Sequence, residues 1–138
     1  MDFTEILHLG LRGQKEETVT DRSTASAWGS GGLPVYATPA MVVLLEGACL
    51  AAVDPLLPAG FSTVGTVLQV KHLAATPPGM SVRAVGELQE IDGRHLVFTV
   101  EVYDEAGKIG EGTHERFIID NEKFLKKALE KKNSSKLP

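Results

Sequence analysis

The stretch Thr38-Pro39-Ala40-Met41-Val42-Val43-Leu44-Leu45-Glu46-Gly47-Ala48-Cys49-Leu50-Ala51-Ala52-Val53-Asp54-Pro55 decides the fold. Thr38 suits an N-cap, and Pro39 suits the first helical position, where its missing N–H costs nothing. Pro55 ends the element, because proline disfavours helical geometry at the residue before it. The residues between are apolar on every side rather than along one stripe, so the stretch predicts a helix over 38–53 that is buried all round. Glu46 is the only charge between Thr38 and Val53.

Downstream, the period changes from helical to two. Leu68, Val70, His72 and Ala74 share one strand face, and Thr76-Pro77-Pro78-Gly79 breaks the chain. Val82, Ala84, Gly86 and Leu88 alternate with Ser81, Arg83 and Glu87; after the hairpin signal Asp92-Gly93, so do Leu96, Phe98, Val100 and Val102 with polar residues. Glu105-Ala106-Gly107 turns into a last strand from about Lys108 to Ile119. Upstream, residues 1–13 read as a lead-in with Gly10 and Gly13 as breakers, and 14–24 as an extended polar strand. Residues 27–34, with three glycines in four positions, read as a loop.

Short turns between successive strands imply an antiparallel sheet. One long apolar helix with four or five such strands predicts an α+β architecture of the hotdog type, a curved antiparallel sheet wrapped around a central helix. A single sheet of this size leaves apolar surface open, so a homodimer is expected.

The 138 residues predict one domain, with its core over about 14–124 and a basic tail over 121–138 that forms a helix and frays at Asn133-Ser134-Ser135. Residues 1–120 carry 8 Lys+Arg against 16 Asp+Glu, which argues against a nucleic-acid partner. No uninterrupted apolar run reaches 18 residues, so no membrane span is expected, and the acidic N-terminus does not read as a signal peptide. A single cysteine, Cys49, permits neither an internal disulfide nor a cysteine-based metal site, and a reducing cytoplasmic location is expected. Neither a metal nor another cofactor is implied, because no histidine pair has ligand spacing on a helix.

Three residues carry the chemistry. Burying ionised Glu46 is costly unless it is paired or tuned for function, so it is either a hydrogen-bonded structural carboxylate or a catalytic one. Thr38 lies eight residues earlier, about 12 Å along the helix. The two side chains therefore cannot touch within one helix; they line two ends of a pocket or belong to two sites of a dimer. Thr38 also sits where free backbone N–H groups can stabilise an oxyanion. His72 has inward parity, as either a core histidine or, with Glu46 in one buried layer, half of a general acid–base pair. His114 is left open, because the glycines around it blur strand parity.

At these residues the sequence resembles the fluoroacetyl-CoA thioesterase family of hotdog enzymes. The resemblance runs through 38–49, Gly65-Thr66, His72 to Gly79 and Gly112 to Arg116. It implies an acyl-CoA thioesterase acting on a small acyl-CoA, a catalytic set of Thr38, Glu46 and His72, and Gly65 and Arg116 near the acyl and CoA-binding region. Gly29-Ser30-Gly31-Gly32-Leu33-Pro34-Val35-Tyr36 replaces an aromatic-rich gating segment of that family, which implies thioester hydrolysis without fluoroacetyl selectivity. The alternatives are a hotdog hydratase or dehydratase using His72 and Glu46, and a module that binds an acyl thioester without turnover.

Overall fold

The computed structural model describes residues 2–134, 136 and 137. In chain order the elements are β1 (Arg12–Thr18), α1 (Ala25–Trp28), α2 (Thr38–Val53), β2 (Phe61–His72), β3 (Ser81–Asp92), β4 (His95–Asp104), β5 (Lys108–Asp120) and α3 (Asn121–Glu130). The strands form one antiparallel sheet in the order β1-β3-β4-β5-β2. It curls around α2, and the inward residues of β3 and β4 (Val82, Ala84, Leu88, Leu96, Phe98, Val102) are fully buried against Met41, Leu45, Ala48, Cys49 and Val53.

Two glycines set how closely helix and sheet approach. A Cβ on Gly86 would lie 2.6 Å from Cys49 Sγ, and one on Gly13 would lie 2.1 Å from the Ala48 carbonyl oxygen. Gly13 is therefore a close-packing position inside β1, not the breaker expected. Burial pushes the Cys49 thiol up to about 12, as suits an inert packing group.

The helix bounds agree with the sequence reading, but its environment does not. Val43 is 59% and Leu50 42% exposed, and Glu46 and Gly47 lie on the same open side. The sheet covers only one side of α2, so the expectation of burial all round is corrected. β2, the sheet's outer strand opposite β1, exposes Leu68 at 44%. Together with the turn that follows it, Thr38–Leu56 has 19 residues at mean hydropathy 1.6, long and apolar enough by length and composition to cross a membrane. A count of uninterrupted apolar residues leaves this segment out because Glu46 and Asp54 fall within it; here it is the core helix on which the sheet packs.

The strand expected over 14–24 starts earlier and stops at Thr18. Thr20 then caps a short turn, Asp21–Ser23, and Thr24 caps α1 through Ala27 N–H. The hydroxyls of Thr20 and Thr24, within the stretch expected to be extended, are spent on local caps. The basic tail forms α3 and a final turn, Lys131–Ser134; Ser135, where fraying was expected, lies outside the described residues.

Candidate active site

The start of α2 is fixed by the segment before it. Tyr36 N–H donates to Thr76 O and Ala37 N–H to Ser23 O, both at 2.8 Å, and the buried Tyr36 hydroxyl donates to Glu17 at 2.6 Å. Ala37, not Thr38, is the N-cap, and it makes no side-chain cap bond. Thr38 is thereby released from the capping role expected of it. Its Oγ1 lies 2.7 Å from His72 Nδ1.

His72 ends β2, and Leu73 N–H anchors the chain beyond it to Ile109 O at 2.6 Å. The inward parity assigned to His72 is what the structure shows. Burial holds the imidazole below the ordinary histidine range, with the Ala74 backbone opposing. Among the described residues its buried Nε2 has no hydrogen-bond partner. A cleft of about 280 Å³ opens beside Thr38 and His72, walled partly by the small residues Ala25, Ser30, Ala74 and Ala75.

Glu46 belongs to a different cluster. Its Oε2 lies 3.7 Å from Arg116 Nη1, with the glutamate side chain 35% and the arginine 5% exposed. Arg116 comes from β5, and its other donors are committed: Nε–H to Thr63 Oγ1 at 2.7 Å and Nη2–H to Thr63 O at 2.9 Å. Thr63 in turn donates its hydroxyl to Asp54 Oδ1 at 2.6 Å. Nη1 is also 3.0 Å from His114 Nε2, while His114 Nδ1 is 2.8 Å from Val67 O. A carbonyl only accepts and a guanidinium only donates, so His114 carries its proton on Nδ1 and is neutral. Burial, reinforced by the Arg116 charge, lowers the His114 pKa. Gly65 faces this cluster, where an added Cβ would meet Glu46 Oε2 at 2.9 Å and His114 Cε1 at 3.0 Å. A second cleft, about 130 Å³, is lined by Glu46, Gly65, His114 and neighbours in β2.

Of the residues singled out in the sequence, Thr38 thus meets His72, while Glu46 meets Arg116 and Gly65. The single buried layer shared by His72 and Glu46 is not found within one chain: Glu46 turns to Arg116, on a side of α2 that is open. Sequence reasoning missed Asp54 and Thr63, and left His114 open, which the structure places in this cluster. Strand parity with Arg116 and Ile118 was the signal available for His114; for Thr63 there was none.

Residues 19–122 match the model of the fluoroacetyl-CoA-specific thioesterase family. A fluoroacetyl-CoA thioesterase of Streptantibioticus cattleyicolor is 45% identical over 97 residues, 70% of this chain and 70% of that protein. A variant of a fluoroacetyl-CoA thioesterase, solved in complex with acetyl-CoA, superposes with TM-score 0.85 at 36% identity, covering 91% of this chain and 98% of the other. A hot-dog-like protein from Thermanaerovibrio acidaminovorans superposes with TM-score 0.86 at 23% identity over 95% and 97% of the two chains, a likeness of fold. The fold is therefore the hotdog fold anticipated from the helix and strand pattern, and the chain belongs to the fluoroacetyl-CoA-specific thioesterase family.

Proposed function

We propose that this thioesterase hydrolyses a small acyl-CoA at a site built from Thr38 and His72 of one chain and Glu46 of a second copy. The observation that carries the reading is the 2.7 Å approach of Thr38 Oγ1 to His72 Nδ1. With the imidazole proton on Nε2, Nδ1 accepts the hydroxyl proton as Thr38 attacks the thioester carbonyl. The first turn of α2 precedes its first intrahelical bond, from Met41 N–H to Ala37 O, and its N–H groups are the donors for the oxyanion. Collapse expels the CoA thiolate, which takes up the proton from His72. Water then hydrolyses the acyl-threonine with His72 again as base.

Support for a dimer comes from the open side of α2 and from β2, a long edge strand with Leu68 uncovered, which is a template for pairing. Antiparallel pairing of β2 with its copy runs the Gly65 end of one strand towards the His72 end of the other. That brings the Glu46 cluster of one chain towards the unpartnered His72 Nε2 of the other. Small residues around the 280 Å³ cleft favour acyl groups larger than fluoroacetyl. The test is thiol release from a panel of short, branched and aromatic acyl-CoAs: hydrolysis releases free thiol, whereas hydration or binding alone does not. Release from none of them overturns the reading.

A further inference from the structure

Asp54, Thr63 and Arg116 form a hydrogen-bonded line whose last member forms an ion pair with Glu46 at 3.7 Å. We infer that Asp54 and Thr63 are positioning residues for the reaction, acting through Arg116 to fix the Glu46 carboxylate; this rests on the catalytic role proposed for Glu46.

The directions of the bonds define the line. Asp54 is acceptor-only, so the Thr63 hydroxyl must donate to it, at 2.6 Å; Asp54 Oδ2 also accepts from Thr63 N–H at 3.2 Å. With its hydrogen so directed, Thr63 Oγ1 turns a lone pair to Arg116 Nε–H. The Thr63 carbonyl takes Nη2–H, so one residue grips the guanidinium along a whole edge. A planar guanidinium held along one edge has its opposite side fixed in direction, and Nη1 on that side faces both Glu46 and His114.

The components are buried where charge is expensive: Thr63 is 5% and Arg116 4% exposed. An ion pair with one partner buried and the other on an open side is weak as a stabilising device, because desolvation of the arginine offsets the attraction. Glu46, by contrast, is free to swing on its open side unless something holds it. The line runs from the end of α2 through the start of β2 to β5, so three elements fix one carboxylate. It also commits one edge of Arg116 to Thr63, leaving Nη1 to face His114 and Glu46.

The experiment compares Thr63→Val, Thr63→Ser and Asp54→Ala with wild type, in steady-state thioester hydrolysis and thermal melts. The expected result for Thr63→Val is a kcat about tenfold lower, the scale of a small misplacement of a catalytic group, with KM within about twofold. Thr63→Ser restores kcat. If Thr63→Val does not fold, Asp54→Ala, which removes only the distal acceptor, reads the same loss. In a Glu46→Gln background, Thr63→Val adds no further loss to the residual turnover. Wild-type kcat in folded Thr63→Val or Asp54→Ala, with Glu46→Gln reduced to residual turnover, overturns this inference alone, as does a loss that multiplies with that of Glu46→Gln. Wild-type kcat in Glu46→Gln overturns the role of Glu46 and this inference with it.

Discussion

Thr38 Oγ1 and His72 Nδ1 lie 2.7 Å apart although 34 residues separate them in sequence, one at the first turn of the central helix and the other at the end of an edge strand. The contact exists because Ala37 takes the N-cap position, leaving the Thr38 hydroxyl unspent. His72→Ala is expected to lower kcat by at least about 10²-fold, within the range for acid–base groups. Thr38→Ala is expected to do likewise, and Thr38→Ser to keep much of the activity. Near wild-type turnover in a folded His72→Ala protein would refute the assignment.

Gly65 gives a prediction that separates activity from stability. A methyl group there would sit 2.9 Å from Glu46 Oε2, the movable end of a long side chain with an open side. The carboxylate yields and the His114 ring, 3.0 Å from the new methyl group, shifts by a few tenths of an ångström, so the fold tolerates Gly65→Ala while Glu46 leaves its place. Turnover should fall about tenfold or more, the scale of a displaced catalytic group, with little change in melting temperature. A large drop in melting temperature with unchanged turnover per folded molecule would show instead that packing, not Glu46, is what Gly65 protects.

Much of this was legible in the sequence, for identifiable reasons. The helix bounds were marked by Pro39 and Pro55, and the inward faces of β3 and β4 by strict alternation. The alternation also carried His72 to the correct side. What failed was any feature that depends on the sheet's limits. Burial all round α2 was inferred from its apolar composition, but Val43 and Leu50 lie where one chain has no strand to cover them. The same blind spot put Glu46 in a layer with His72. Composition reports that a residue tolerates burial, not which chain buries it. Asp54 was read only as a helix end marker, and its bond to Thr63 depends on β2 crossing that end.

Both site histidines titrate below the ordinary value, with burial as the main cause, and the signs are separable. For His72 the neutral form is the base. Its acid limb in kcat/KM should therefore lie below pH 6.5, the unperturbed value, with a flat profile from there towards neutrality. For His114 the effect is on folding. The unfolded chain binds a proton that the folded chain resists, so its contribution to stability is present above about pH 6.5 and is lost as pH falls towards the lowered folded value. Melting temperature should fall across that window, and His114→Gln should flatten the fall whatever its absolute stability. An unchanged slope in His114→Gln would assign the acid sensitivity elsewhere.

The division of Thr38 and His72 from Glu46 leads to a complementation test. Thr38→Ala and Glu46→Gln chains are each expected to keep only residual turnover and to run at twice the 14.8 kDa of one chain. If each site draws Thr38 and His72 from one chain and Glu46 from the other, a heterodimer of the two variants holds one intact site and one doubly damaged site. Unfolding and refolding an equimolar mixture makes half of the dimers mixed, so activity per chain should return to about a quarter of wild type. If all three residues act within one chain, every chain in the mixture carries a lesion and nothing returns. Mixed dimers recovered by two affinity tags remove the case of incomplete exchange: activity in that fraction at about half of wild type supports the shared site. An inactive mixed fraction would place all three residues of a site within one chain and refute the shared site, whereas full turnover in the Glu46→Gln homodimer is the result that would place Glu46 outside the chemistry of Thr38 and His72.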